Sequence, residues 1–141
     1  MENDANIKFE NTNELSVDEF AKIVASCYAC KVFTRTFENK VIVAIDTFLP
    51  GYDEGVCNVL EKVGNSVEEI SDNRSVTDYW EIMDVDMRLH KEKLCKIESE
   101  YGLSFADGNF ISAFPYDVSK LQDNVAKFNE ALFKLAKIDE D

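Results

Sequence analysis

The hydrophobic period of this chain changes abruptly near residue 31, and that change constrains the fold more than any other feature. Upstream, Ser16-Val17-Asp18-Glu19 has the form of a capping box, in which the Ser16 hydroxyl accepts from the Glu19 amide and Glu19 reaches back. Val17, Phe20, Ala21, Val24, Cys27 and Tyr28 then recur at helical spacing, which predicts an amphipathic helix over 17–30. Downstream, Val32, Thr34 and Thr36 alternate with Phe33, Arg35 and Phe37, a period of two in β-branched and aromatic residues. A one-sided helix followed at once by a one-sided strand requires that the two share a core. The fold class expected is therefore α+β.

The rest of the chain extends that reading. Glu38-Asn39-Lys40 makes a tight turn into a strongly apolar strand from Val41 to Phe48, and Pro50 to Gly55 forms a loop. Strands at Val56–Val63 and Val67–Ile70 flank the turn signal Gly64-Asn65. These four segments suggest an antiparallel meander. Ser75 is placed to cap a short helix reaching about Met83, and a second helix, from about Met87 to Tyr101, stops at Gly102. A small hairpin over residues 103–113 turns at Asp107-Gly108. A long C-terminal helix over 118–138 carries Val118, Leu121, Val125, Phe128, Leu132 and Leu135 at spacings of three and four. This seam is expected to pack across the sheet; a coiled-coil homodimer centred on Phe128 is the alternative. Residues 1–14 read as a polar lead-in, with a short strand at Ile7–Phe9, and residues 15–141 as one domain.

Charge narrows the function classes. The 141 residues include 15 Lys plus Arg and 28 Asp plus Glu, a formal charge of −13. Gripping nucleic acid by phosphate neutralisation requires clustered cations, so direct binding of DNA or RNA is not expected, nor is docking on anionic lipid. The opening Met1-Glu2-Asn3-Asp4 has neither the basic start nor the apolar run of a signal peptide, and the longest apolar run, Val41–Ile45, is far short of a membrane span. The expectation is a cytoplasmic protein in which Cys27, Cys30, Cys57 and Cys95 are reduced thiols.

From Ser16 to Ile138 the order of elements and several short strings resemble a family of short bacterial and phage-borne proteins catalogued only as a domain of unknown function. The strings are Thr47-Phe48-Leu49, Ile70-Ser71-Asp72-Asn73, Tyr101-Gly102-Leu103 and Asp107-Gly108. The proline follows Leu49 here instead of preceding Phe48, and Asn73 stands where the family's acidic turn usually has Gly. The resemblance implies the α+β architecture and a mobile-element or bacterial origin. It brings no established chemistry.

Motifs for catalysis are sparse. Cys27-Tyr28-Ala29-Cys30 is a C-x-x-C pair, but no second pair completes a zinc set, and it closes a helix instead of opening one. His90 is the only histidine, and no Gly-rich phosphate loop occurs. No metal and no cofactor are expected. The concentrated feature is acidity: ten acids against Lys62 and Arg74 between Asp53 and Asp86. Interleaved with Tyr52, Tyr79 and Trp80, these acids suggest a surface that complements a basic protein partner, with aromatic anchors and carboxylates in place of phosphates. The contact residues expected are Tyr52, Asp53, Glu54, Glu68, Glu69, Asp72, Tyr79 and Trp80. The leading function is thus a non-enzymatic acidic interaction protein, such as a phage or mobile-element inhibitor of a nucleic-acid-binding enzyme. The alternative is a small metal-dependent hydrolase or nuclease using Asp46, Asp53 and Glu54, with Glu38-Asn39-Lys40 as an E-x-K fragment.

Overall fold

The computed structural model describes residues 14–45 and 56–140. The expected strand at Ile7–Phe9, the loop from Pro50 to Gly55, the end of the strand past Ile45, and the residues Asp46, Tyr52, Asp53 and Glu54 lie outside the described residues.

The fold is α+β, as its alternating periods require. Helix α1 (Val17–Ser26) opens with the capping box in full: the Glu19 amide donates to Ser16 Oγ and the Ser16 amide to Glu19 Oε1. It ends four residues before the sequence expectation, because Tyr28 leaves the helix and sends its hydroxyl to Asn58 Oδ1 at 2.6 Å. Strands β1 (Val32–Phe37), β2 (Lys40–Ile45), β3 (Cys57–Val63) and β4 (Ser66–Ser71) form the antiparallel meander. Helix α2 (Ser75–Ile82), a 3-10 turn (Met87–Leu89) and helix α3 (Lys91–Tyr101) follow, and Gly102 closes α3 in the left-handed conformation at φ 67°. The small hairpin is β5 (Ser104–Ala106) and β6 (Asn109–Ser112). Two residues of β7 (Tyr116–Asp117) and a 3-10 turn (Val118–Lys120) lead into the long helix α4 (Leu121–Ala136).

The seven strands among the described residues lie in one antiparallel sheet, ordered β1-β2-β3-β4-β6-β5, with β7 sharing the outer edge of β4. Register assigns the faces. Val41, Val43 and Ile45 share an inner face with Leu60 and Ile70, and all are buried. Phe20 and Val24 of α1, Trp80 of α2, and Leu121, Val125, Phe128, Leu132 and Leu135 of α4 complete this core. The C-terminal seam is therefore consumed inside one chain. This corrects the coiled-coil alternative: Phe128 is buried under its own sheet and is not available to a second helix.

The β5–β6 turn shows how tightly the hairpin is tied to α2. Asp107 and Gly108 both have positive φ, 53° and 82°, as an Asp-Gly hairpin turn requires. Thr77 Oγ1 donates to Gly108 O at 2.7 Å, and Arg74 Nη1 donates to Asp107 O at 3.3 Å. A Cβ on Gly108 would lie 1.9 Å from Arg74 Nη1 and 2.7 Å from its Cζ. Gly108→Ala is expected to cost about 1–2 kcal/mol by combining positive φ with displacement of Arg74. Thermal denaturation checks this; an unchanged midpoint would contradict it.

Candidate functional site

The structure divides the expected acidic surface into three parts. Asp72, Tyr79 and Trp80 belong to the core, which corrects their assignment as partner contacts. Their side chains face inward because Val76, Tyr79 and Trp80 form a stripe at helical spacing on a two-turn helix wedged between the sheet and α4. Trp80 Nε1 donates to Leu135 O at 2.9 Å, and its ring meets Phe110 edge-on with centroids 5.6 Å apart. Burial, with Glu140 and Asp139 nearby, pushes the Tyr79 hydroxyl above its ordinary pKa.

Asp72 is fully buried and organises the β4–α2 connection. Its Oδ1 accepts from the amides of Phe110 at 2.9 Å and Arg74 at 3.2 Å, and its Oδ2 accepts from the Val76 amide at 3.1 Å. Asn73 and Arg74 consequently hold successive left-handed φ values of 50° and 64°. Ser75, expected as the cap, instead lies within α2 and accepts from the Cys57 amide, while the Asp72 carboxylate holds the helix start. Desolvation raises the Asp72 pKa, against the opposing pull of the three amides.

Glu68 and Glu69 remain at the surface, half-buried on the outer face of β4. A bulge accounts for their adjacency. Glu61 pairs with Glu69 and Lys62 with Val67, leaving Glu68 as the extra residue. Glu68 accepts from Ser66 Oγ at 2.7 Å, and Glu69 stands directly across from Glu61.

The surface that sequence reading missed is a ridge just past α2. Asp84 turns the chain at φ 57°, and the Val85 amide returns to Trp80 O at 2.9 Å. Val85 and Met87 fold back onto the core, whereas Ile82, Met83 and Leu89 are 63%, 46% and 76% exposed. Exposed Glu81 and Asp84 flank Ile82 and Met83 along the chain. Arg74 lies 3.8 Å from both Asp78 and Glu81, and Arg88 forks onto Asp86 at 3.0 Å, so Asp84 carries the ridge's least compensated charge shown by these pairs. The sequence carried half of this signal: Ile82 falls off the Val76-Tyr79-Trp80 stripe, whereas Met83 continues it at i+7 and is exposed because the helix ends at Ile82.

The lysines are accounted for differently. Lys93, Lys96, Lys134 and Lys137 surround a groove floored by Ile97, Phe133 and Ile138. Lys93 Nζ donates to the carbonyls of Ile138 and Glu140, Lys137 lies over the Phe133 ring, and Lys134 lies over Tyr101. These cations close the C-terminal end of α4, where helix carbonyls and the macrodipole favour them.

A buried polar tie joins three elements. Tyr28 Oη and Asn129 Nδ2 both donate to Asn58 Oδ1, at 2.6 and 2.9 Å, linking the segment after α1, the inner face of β3 and α4. Burial raises the Tyr28 hydroxyl well above its usual range and pushes Tyr116, nearby, up to about 12. His90 is half-buried at the start of α3 and makes no side-chain capping bond there. Cys27 packs against the core, its thiol donating to Ile23 O and its pKa raised by burial, and Cys30 is exposed. Among the described residues no group of three or more His, Cys, Asp or Glu side chains converges on one point, and no helix is long and apolar enough to cross a membrane. The chain matches no protein-family model, no curated protein and no solved structure.

Proposed function

We propose that this protein is a non-enzymatic interaction module that binds a basic protein partner through the ridge formed by Glu81, Ile82, Met83, Asp84 and Leu89. The observation that supports this reading most directly is the exposure of Ile82, Met83 and Leu89 beside exposed carboxylates. Apolar side chains raised from the surface supply area to bury, and the surrounding acids select a cationic counterpart and steer its approach. The overall charge of −13 adds a long-range attraction for the same class of partner. One form such a module takes is an inhibitor that presents carboxylates to the cleft where a nucleic-acid-binding enzyme receives phosphates.

The test uses wild-type protein and the double variants Ile82→Asp/Leu89→Asp and Glu81→Lys/Asp84→Lys as immobilised baits in a cell lysate, at low and high salt. The expected result is a basic protein retained by the wild type at low salt, released as the Debye length shrinks from about 10 Å at 0.1 M to about 3 Å at 1 M, and absent from both variants. Equal capture by all three baits, or capture indifferent to salt, would refute the reading.

A further inference from the structure

We infer that a second copy of this chain covers the outer face of the sheet, through a two-fold axis running along the strands between β2 and β3. This inference concerns a different surface from the ridge and stands or falls separately. The helices lie on the inner face: α1 borders Thr34 and Thr36, α2 reaches Phe110 through Trp80, and α4 reaches Asn58 through Asn129. Among the described residues no helix packs on the outer face. There Phe33 and Phe37 are 57% and 60% exposed, and Ile42, Ala44, Cys57, Val59 and Ile111 are half-buried. A sheet with one face packed and the other facing water usually carries polar residues outward. This one carries a largely apolar field.

Strand register resolves that field into three rows. Phe33, Ala44 and Cys57 form the first; Arg35, Ile42, Val59, Ser71 and Ile111 the second; Phe37, Lys40, Glu61 and Glu69 the third. Charge is split across the rows. The cations Lys31, Arg35 and Lys40 sit at or beside β1 and β2, while Glu61 and Glu69 sit on β3 and β4. Glu61 and Glu69 oppose each other directly, an unfavourable pair that a further cation would relieve.

Self-complementarity follows from this split. A two-fold axis along the strands, between β2 and β3, keeps each row in place and exchanges left for right. It sets Lys40 over Glu61 of the second copy, Ile42 over Val59, and Ala44 over Cys57, each twice. At its margins the same axis sets Arg35 over Ser71 and Phe37 over Glu69, where the carboxylate still reaches water; a two-fold axis across the strands would instead stack Ala44 on Lys40 and Cys57 on Glu61 at the centre, burying charge against apolar groups. Both arrangements keep the strands of the two sheets near-aligned, as stacked sheets are, so the charge pairing is what selects the first. The outer face is roughly 20 Å by 20 Å at ordinary strand spacing, about 400 Å² per copy and about 800 Å² in total, below the size of stable interfaces, so a weak dimer with a dissociation constant on the order of 10 μM is expected.

The experiment is sedimentation velocity of the full chain at about 1 to 100 μM, a range that brackets such a constant. Wild-type protein should shift toward twice its 16.1 kDa chain mass as concentration rises. Lys40→Glu and Glu61→Lys should each remain monomeric, because like charges then meet across the axis. Mixed together, the two folded variants should form a heterodimer, since every cross-axis pair becomes opposite in sign, and the double variant Lys40→Glu/Glu61→Lys should again self-associate. Circular dichroism of each variant checks folding, and the mixing step succeeds only with folded chains. A wild-type monomer at about 100 μM would overturn the inference and leave the face to another occupant. Single variants that still dimerise, or a mixture that stays monomeric, would overturn it as well.

Discussion

Replacing Asp72 by alanine is expected to destabilise the fold by about 4 kcal/mol, the largest effect of any single polar substitution among the described residues. The carboxylate accepts three backbone amides, from Arg74, Val76 and Phe110, and no described side chain replaces it there. Each buried donor left unpaired costs about 1–3 kcal/mol, and removing a desolvated carboxylate offsets only part of that sum. For a chain of this length the midpoint should fall by roughly 12 °C. Asp72→Asn should lose about half as much. It keeps one acceptor oxygen for Phe110 and Arg74 but points an amide nitrogen at the Val76 N–H. An alanine variant as stable as wild type would show that the carboxylate does not organise the β4–α2 connection.

The same residue gives a pH prediction. Burial raises the Asp72 pKa above its ordinary 3.8, so the folded chain binds more protons at this site than the unfolded chain does. Its contribution to stability therefore declines as pH rises from 3.8 through the raised value. Self-repulsion among 28 acids facing 15 bases grows in the same direction. A higher unfolding midpoint is expected near pH 5 than near pH 8, and the part of the decline that begins above pH 3.8 should be smaller for Asp72→Asn.

Local periodicity made the α1 cap, the β1–β4 meander, the Gly102 stop and the Asp107-Gly108 turn legible, because each is written in residues close together in sequence. What escaped was set by distant partners. Tyr28 looked like the next helical apolar residue, yet a hydroxyl bond to Asn58, thirty residues away, draws it out of the helix. β7 is two residues long and exists through pairing with Ser66 and Val67. Val67-Glu68-Glu69-Ile70 breaks the two-residue period, which is the signature of the bulge, but it reads as an ordinary acidic strand until its partner strand is known. The acidic stretch was misjudged most. Counting charges along the chain grouped Asp72 with Glu68 and Glu69, although one is sealed beneath Phe110 and the others face outward. Net charge describes a segment, whereas burial is decided residue by residue, and only the spacing of Val76, Tyr79 and Trp80 hinted at which side chains turn inward.

Trp80 provides the sharpest test of that distinction, because it is the only tryptophan and so reports on its own surroundings. A surface anchor would emit as a water-exposed indole, quench freely with acrylamide, and tolerate truncation without loss of stability. The observed position predicts the opposite: emission shifted toward the blue in the folded protein, weak quenching, and a shift to the red on unfolding. Trp80→Ala should cost about 4 kcal/mol, from the transfer free energy of the ring and the cavity left between α2, β6 and α4. Trp80→Phe should cost about 1.5 kcal/mol, since it retains most of the packing and the edge-on approach to Phe110 but loses the indole bond to Leu135 O. The Leu135 carbonyl also accepts from the Ile138 amide, so its loss is partial and the phenylalanine variant remains folded. That variant then separates the two roles in one preparation. If Trp80 contacted the partner, Trp80→Phe would weaken capture of the basic protein with little change in midpoint; a core residue lowers the midpoint and leaves capture through Ile82 and Leu89 intact.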